Sequence, residues 1–367
     1  MGAASAEALG GALRAAYRAD DTALDPNSVT VRSTPLRRTV DSAAYVLAGL
    51  FPASVAASSR GGNGSDGGGS GDGSPAPNLP PIRVAPAASE TLFPNPIACP
   101  RLADRLASAA AGVPPAVRSR LATIVAAATA AAANCDGDCN GGTGCSGGAH
   151  HRQRPPISLA SDAVAIADVL SSAAAHGAGR PVGVTAADAA VVQAAADEVL
   201  RRALGDEDAR RLAVGLLVEE LLREVTAAAA KAETATSMSA AAAAGDNGSN
   251  APPPPPTLRL YATHDVTLWA LAGALGATIQ WPPFASTLTI EVYPPRRGKD
   301  GVDDGDRVND GTSVRVVYNG TPLVLGCTPR GGAPAAPVEC LIATLSTTAL
   351  SADAAAAACA RQPRRAT

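Results

Sequence analysis

The stretch that most constrains the fold is residues 258–276, LRLYATHDVTLWALAGALG, because its hydrophobic period changes in the middle. Residues 258–261 alternate between apolar and polar side chains, which is typical of a β-strand. The apolar residues that follow recur with helical spacing: Leu268, Leu271, Ala272 and Leu275. Gly276 then ends the helical pattern. The stretch therefore predicts a strand, a short turn and a helix, with His264 and Asp265 at the turn.

A helix that follows a strand in this way presents unpaired backbone N–H groups and the positive end of its dipole. Such a helix N-terminus suits an anion such as phosphate. His264 and Asp265 are therefore the best candidates for chemistry in the chain. The alternative from this stretch alone is a histidine on a turn beside an aspartate that caps the helix.

A second strand, turn and helix are predicted near the start of the chain. Residues 29–31 read as a short strand, Ser33 and Thr34 are N-cap residue types, and Pro35 suits the first helical position. The apolar residues after them have helical spacing: Val40, Ala43, Ala44, Leu47 and Phe51. Arg38 lies in the first turn of this helix. The two units predict convergence on one phosphate at the carboxyl edge of a sheet.

Composition and periodicity divide the rest of the chain into segments. Ala rather than aromatic residues supplies most of the apolar content, since hydrophobic residues make up 46% of the chain and aromatic residues only 3%. The predicted segments are an α/β core at 1–57 and 257–360, a low-complexity loop at 58–89, a helical cap at 90–235 with a Cys/Gly-rich insertion at 134–156, and an Ala/Pro-rich linker at 236–256.

Charge and hydropathy argue against two classes of function. The formal net charge is −3, so no basic field for nucleic acid is expected. No uncharged apolar run reaches about 18 residues, and the first residues lack the pattern of a signal peptide. We therefore expect no nucleic-acid partner and no transmembrane segment, and the sequence does not specify an oligomeric state.

Residues 31–52 and 261–276 resemble the histidine acid phosphatases. The first segment reads VRSTPLRRTVDSAAYVLAGLFP and the second YATHDVTLWALAGALG. Further segments that resemble this family follow in the same order along the chain: 93–102, 281–286 leading to Glu291, and 316–323. Collinear matches of this kind are more specific than an isolated His-Asp pair.

The resemblance implies a fold and an activity. The fold is an α/β core like that of phosphoglycerate mutase, a mixed sheet with helices on both faces, plus an all-helical cap. The family's first strand is missing here, so we expect a gap between the strands at 29–31 and 258–262. The implied activity is hydrolysis of phosphate monoesters through a phosphohistidine, without a cofactor.

The resemblance also implies roles for single residues. Arg38 matches an arginine that binds phosphate, His264 a histidine that hydrogen-bonds the phosphate, and Asp265 the acid that protonates the leaving oxygen. Arg37 is expected to be a solvated charge, and Arg32 is a weaker second candidate for binding phosphate.

One departure from the family concerns the nucleophile. The family carries its nucleophile in an Arg-His-Gly-x-Arg-x-Pro motif, and this sequence contains no Arg-His-Gly. His176 is followed by glycine but has the wrong spacing and is predicted to lie in a loop, while His150 and His151 fall in the insertion. Three alternatives remain open: a fragment of an active phosphatase, an inactive relative that binds a phosphorylated ligand, or a chain completed by another polypeptide.

The resemblance implies two disulfides, Cys327 with Cys340 and Cys99 with Cys359. Disulfides imply the secretory pathway, with a lysosomal, vacuolar or extracellular destination, and a cytoplasmic location is the alternative. Sequons that permit glycosylation occur at three positions: Asn63, Asn247 and Asn319.

A competing interpretation is a zinc site in the insertion. Its ligands would be Cys135, Cys139, Cys145 and the pair His150-His151. These residues lack paired CxxC spacing and lie in low-complexity sequence, so we expect no metal.

Overall fold

The structure of the 367-residue chain is a computed structural model. It describes residues 2–17, 24–52, 79–135, 163–177, 179–180, 183–244, 257–295, 311–327 and 335–360. The helices within these residues are α1 (Gly2–Ala16), α2 (Arg37–Leu50), α3 (Pro100–Ala111), α4 (Pro115–Cys135), α5 (Ala163–Ala175), α6 (Ala186–Leu204), α7 (Glu207–Ala244), α8 (Asp265–Ala274), α9 (Val338–Ser346) and α10 (Ala352–Cys359). The strands are β1 (Val29–Ser33), β2 (Ile82–Val84), β3 (Leu258–Ala262), β4 (Leu288–Tyr293), β5 (Ser313–Tyr318), β6 (Thr321–Pro322) and β7 (Ala336–Pro337).

The chain divides into two compact units. The first contains Met1–Cys99 and Arg210–Ala360, and the second is built from Pro100–Ala209. The second unit covers fewer residues than the predicted cap at 90–235. Glu90, together with Glu220 and Glu224 of α7, binds arginines of the parallel sheet, which places these residues in the first unit.

A parallel sheet with strand order β2-β1-β3 forms the centre of the first unit. β1 pairs directly with β3 along its whole length, from Val29 opposite Leu258 to Ser33 opposite Ala262. The predicted gap between these strands is therefore wrong. Direct pairing satisfies the backbone N–H and C=O groups that the two strands present to each other, which an open gap would leave without partners.

One face of this sheet packs on α2. Val29 and Val31 of β1 are buried against Leu47 and Leu50 of α2, whose apolar residues recur with helical spacing as the sequence predicts. Ile82 of β2 joins the same cluster. The predicted low-complexity loop at 58–89 is therefore too long, because its last part contributes a strand to the sheet.

The opposite face of the sheet carries charged side chains that bind α7. Arg32 of β1 pairs with Glu220, and Arg259 of β3 pairs with Glu224 at 2.6 Å. Glu220 and Glu224 are four residues apart and so lie on one side of the helix. Helices thus cover both faces, and the predicted α/β class is confirmed.

The antiparallel strands form a second sheet, with strand order β4-β5-β6 and with β7 paired to β5. The Asn319-Gly320 turn between β5 and β6 confirms the predicted hairpin. Both residues have positive φ, 48° and 79°, which Asn and Gly tolerate better than other residues.

Helices are the only regular elements among the described residues of the second unit. Its core contains Leu121, Ile124, Ile166 and Val192, from three helices. α6 begins with a capping box in which Thr185 and Asp188 exchange hydrogen bonds, as in the S/T-x-x-E signature of helix starts.

Both implied disulfides are present, joining Cys99 to Cys359 and Cys327 to Cys340. Cys99–Cys359 ties the segment before α3 to the end of α10 across 260 residues of sequence. Among the described helices, none is long and apolar enough to cross a membrane.

Two glycines allow α1 and α2 to cross in close contact. A Cβ atom on Gly10 would collide with the carbonyl oxygen of Val46, and one on Gly49 would collide with the carbonyl oxygen of Glu7. Gly11, next to Gly10, has open space at the same position. The two neighbouring glycines therefore lie in the same helix, but only Gly10 packs against α2.

We predict that Gly10→Ala destabilises the protein, because the added methyl group forces the helices apart at a cost of about 1–3 kcal/mol. Gly11→Ala is the matched control and should stabilise α1 by up to about 1 kcal/mol, since Ala has the higher helix propensity. Urea denaturation followed by circular dichroism measures both changes. Equal midpoints for the two variants would contradict the close crossing.

Glu291 of β4 joins α1 to the antiparallel sheet. Tyr17 and Tyr293 each donate a hydrogen bond to its carboxylate at 2.7 Å, and Arg315 donates a third. Burial alone would raise the pKa of Glu291, but the hydrogen bonds from Arg315, Tyr293 and Tyr17 lower it below its ordinary value.

Because the pKa of Glu291 is lower in the folded state, its contribution to stability is present above the unfolded pKa of about 4.3 and is lost as the pH falls through the folded pKa. We therefore expect Glu291→Gln to lower the free energy of unfolding near neutral pH, and the difference from the wild type to shrink below about pH 4. Asp168→Asn, which removes a carboxylate at an exposed site on α5, is the control.

Candidate active site

The carboxyl ends of β1 and β3 bring two sequence segments together. The amide of Thr34 donates to the carbonyl of Ala262 at 3.2 Å, which extends the strand pairing by one residue. The β1–α2 turn and the β3–α8 turn therefore lie side by side. This is the convergence that the sequence predicts for the two strand–turn–helix units.

The start of α2 differs from the prediction. α2 begins at Arg37 with Leu36 at the N-cap position, and no side chain caps it. The predicted cap at Ser33 or Thr34 with Pro35 at the first helical position is wrong. Ser33 completes β1, and the hydroxyl of Thr34 hydrogen-bonds within the site instead.

His264 occupies the N-cap position of α8 without capping it through its side chain. Its Nε2 lies 3.1 Å from the hydroxyl of Thr34, which lies 2.6 Å from the hydroxyl of Thr39. The edge of the Phe93 ring packs against the imidazole, with 5.7 Å between centroids and an angle of 86° between planes. The ring is therefore held from two sides.

A short segment that begins at Glu90 keeps Phe93 in this position. The carbonyl of Leu92 accepts hydrogen bonds from the hydroxyls of Thr263 and Thr267, which flank His264 in sequence. The carboxylate of Glu90 accepts the amide hydrogens of Thr91 and Leu92, at 2.7 and 2.8 Å. The segment is fixed to the β3–α8 turn at one end and folded on itself at the other.

Arg32 anchors this segment and does not extend to the site. Its guanidinium binds the fully buried carboxylate of Glu90 at 2.8 Å, the hydroxyl of Thr91 and the carboxylate of Glu220. Two carboxylates thus neutralise its charge. These partners already occupy the guanidinium that the sequence offered as a second candidate for binding phosphate.

Arg38 has a different environment. It is exposed in the first turn of α2, and within the described parts of the chain no acidic side chain pairs with it. The neighbouring Arg37 is 94% exposed and lies 3.5 Å from Asp41, one helical turn away, which agrees with a solvated charge. Of the two adjacent arginines, Arg38 is the one whose charge acts on His264.

Burial, followed by the positive charge of Arg38, lowers the pKa of His264 to about 4. Both effects disfavour the imidazolium ion. His264 is therefore neutral at all but strongly acidic pH. The negative charge of a bound anion would stabilise the imidazolium ion and so raise the pKa of His264.

Asp265 is the first residue of α8 and directly follows His264. Its Oδ1 accepts a hydrogen bond from the amide of Val266 at 2.8 Å. The carboxyl group thus lies at the same helix N-terminus as the imidazole. It is the only acidic residue in the first turn of this helix.

The other predicted ligand types lie elsewhere. His176 is exposed in the turn after α5, as predicted for a loop residue, and Cys135 ends α4. Cys139, Cys145, His150 and His151 fall outside the described residues. Where side chains are described, no group of three or more His, Cys, Asp or Glu residues could hold a metal ion.

Sequence reasoning missed the residues that support His264. Thr39 was not singled out, Thr34 was interpreted as a cap, and Phe93 entered only within a family-like segment. The sequence feature that could have indicated these residues is the pair of threonines on either side of the β1–α2 turn. Their contact with a residue 230 positions later is not visible in local sequence.

Comparison with known proteins identifies a family. The model of the histidine phosphatase superfamily (branch 2) matches residues 1–143 and 191–319, which is more than half of the chain. A mouse protein, lysophosphatidic acid phosphatase type 6, is 42% identical over 73 residues, a match that covers 20% of this chain and 14% of that protein.

Solved structures with the same fold include bacterial phytases. The Citrobacter braakii phytase has a TM-score of 0.53 at 13% identity, with 98% of this chain and 88% of that chain covered. The Klebsiella sp. ASR1 phytase has a TM-score of 0.51 at 14% identity, with 97% and 88% covered. At these identities the likeness concerns the fold. The match to the family model, however, spans both strand–turn–helix units, and the chain therefore belongs to the histidine phosphatase superfamily, branch 2.

Proposed function

We propose that this protein binds phosphate monoesters between Arg38 and the His264-Asp265 pair, and that these residues supply the anion-binding and proton-donating groups of a phosphomonoester hydrolase. The observation that carries the proposal is the direct pairing of β1 with β3, which brings both segments to one sheet edge. Membership of the histidine phosphatase superfamily supports it.

Each group has a chemical role in this proposal. The planar guanidinium of Arg38 matches two phosphate oxygens, and the N-termini of α2 and α8 add their positive dipole ends. His264 donates a hydrogen bond to the phosphate. Asp265 protonates the leaving oxygen, and the negative charge of the bound phosphate favours the neutral acid that this step needs.

The family's reaction passes through a phosphohistidine, which divides one displacement into two easier steps. None of the 4 histidines of this chain lies in an Arg-His-Gly motif. We therefore infer that the chain by itself binds phosphate groups without hydrolysing their esters. This observation also favours the second candidate function, an inactive relative that binds a phosphorylated ligand.

We expect the purified chain to show no turnover of p-nitrophenyl phosphate at acid pH, because no histidine is assigned to attack phosphorus. Release of p-nitrophenolate measures this directly, with Asp265→Ala as the background. Hydrolysis by the wild type that disappears in Asp265→Ala would overturn the expectation and show that another nucleophile acts in this chain.

Anion binding is expected to depend on Arg38 and not on Arg37. Loss of a charge-assisted hydrogen bond costs about 1.5–3 kcal/mol, so Arg38→Ala should weaken tungstate binding by about tenfold to 150-fold in titration calorimetry. Arg37→Ala removes the same charge from the adjacent, solvated position and is the matched control. Equal losses in the two variants would indicate a general charge effect and contradict the assigned site.

The two disulfides support an oxidising compartment for the protein. We propose the secretory pathway, with a lysosomal, vacuolar or extracellular destination. Among the sequons, Asn319 is exposed in the β5–β6 turn. The proposed substrate class is a phosphate monoester, which the positive charge of Arg38 and the two helix N-termini recognise through the phosphate group.

A further inference from the structure

Two buried threonines connect the start of α2 to His264. The hydroxyl of Thr39 lies 2.7 Å from the carbonyl oxygen of Leu36 and 3.1 Å from that of Thr34. It also lies 2.6 Å from the hydroxyl of Thr34, which lies 3.1 Å from Nε2 of His264. Thr34 is fully buried, so water does not replace these contacts.

Short contacts with carbonyl oxygens favour one direction for this network. The carbonyl oxygen of Leu36 only accepts, and a contact of 2.7 Å between two oxygens is attractive only with a hydrogen between them, so we assign the single hydroxyl hydrogen of Thr39 to a carbonyl. Thr39 then accepts from Thr34, which uses the single hydroxyl hydrogen of Thr34. The hydroxyl oxygen of Thr34 can then only accept a hydrogen bond from His264. The hydrogen between them therefore belongs to Nε2 of His264.

The other ring nitrogen, Nδ1, has no hydrogen-bond partner within the described residues. The neutral ring with its hydrogen on Nε2 leaves Nδ1 with a lone pair, which repels the lone pairs of a phosphate oxygen. The charged group that acts on the ring is Arg38 from α2, Asp265 follows His264 at the start of α8, and Phe93 contributes an uncharged ring.

We propose that the Thr39–Thr34 relay holds neutral His264 as the Nε2–H tautomer, so that His264 donates a hydrogen bond to a bound oxyanion only after Nδ1 takes up a proton from solvent. Each phosphate-type anion bound then takes up about one proton. Thr34 and Thr39 are positioning residues that act through His264. The inference rests on the proposed function, because it takes the anion to bind beside His264.

The pKa of His264, about 4, agrees with this scheme. A bound anion stabilises the imidazolium and raises this pKa. Between the two pKa values, linkage weakens anion binding about tenfold for each unit of pH increase. Below the lower of the two pKa values the ring already carries the proton, and the dependence disappears.

Nitrogen-15 NMR of His264 in the unliganded protein tests the relay without any ligand. We expect a protonated Nε2 and an unprotonated Nδ1 in the wild type and in Thr34→Ser, which retains the hydroxyl. Thr34→Val and Thr39→Val should populate both tautomers. A hydrogen on Nδ1 in the wild type, or an unchanged tautomer in both valine variants, would overturn the relay.

Calorimetric titration with sulfate tests proton uptake, because sulfate itself does not titrate in the range used. Comparison of buffers with different ionisation enthalpies at about pH 6 gives the number of protons bound. We expect uptake of about one proton for each sulfate bound in the wild type and in Thr34→Ser. In Thr34→Val we expect a value near zero, because the neutral imidazole of His264 can then donate from Nδ1. Thr123→Val, at an exposed hydroxyl on α4, is the control and should match the wild type.

The two measurements separate the inference from the proposed function. Absence of sulfate binding by the wild type contradicts the anion site and with it the proton uptake, whereas the NMR result decides the relay by itself. Sulfate binding that depends on Arg38 but takes up no proton leaves the proposed function intact and overturns the inference.

Discussion

The site depends on one interaction, the parallel pairing of β1 with β3. Five residue pairs, from Val29–Leu258 to Ser33–Ala262, hold the two strands in a single register. A shift by one residue would exchange the buried face with the charged face, because side chains alternate along a strand. The register therefore fixes the apolar contact with α2, the ion pairs with α7 and the distance between Thr34 and His264 together.

The charged face of the sheet also explains how the site obtains a rigid support. Arg32 is neutralised by Glu90 and Glu220, and Glu90 folds the backbone that carries Phe93. Buried charges of this kind are stable only when paired and hydrogen-bonded. Arg38 follows Arg32 by six positions but leaves the sheet on a helix, where its charge stays available. The same residue type is thus paired with carboxylates on one element and exposed on another.

Local patterns were sufficient for much of the fold. The change of period near His264, the apolar spacing of α2 and the Asn319-Gly320 turn each depend on near neighbours in sequence, and each has its predicted conformation. The predictions that were wrong concern positions whose conformation depends on residues far away in sequence. The gap beside β1 and the cap at Thr34 were wrong because the partners of those backbone and hydroxyl groups come from more than 200 residues away.

By itself, the sequence determined the two strand–turn–helix units, the chemical types at their turns and, through the family-like segments, the cysteine pairs. Tertiary structure alone decided which arginine is paired with buried carboxylates and which hydroxyl lies beside Nε2 of His264. The physical reason is that charge pairing and hydrogen-bond direction are properties of an environment. A guanidinium becomes a structural anchor or a ligand according to the carboxylates beside it, and an imidazole adopts one tautomer according to the hydroxyl it meets.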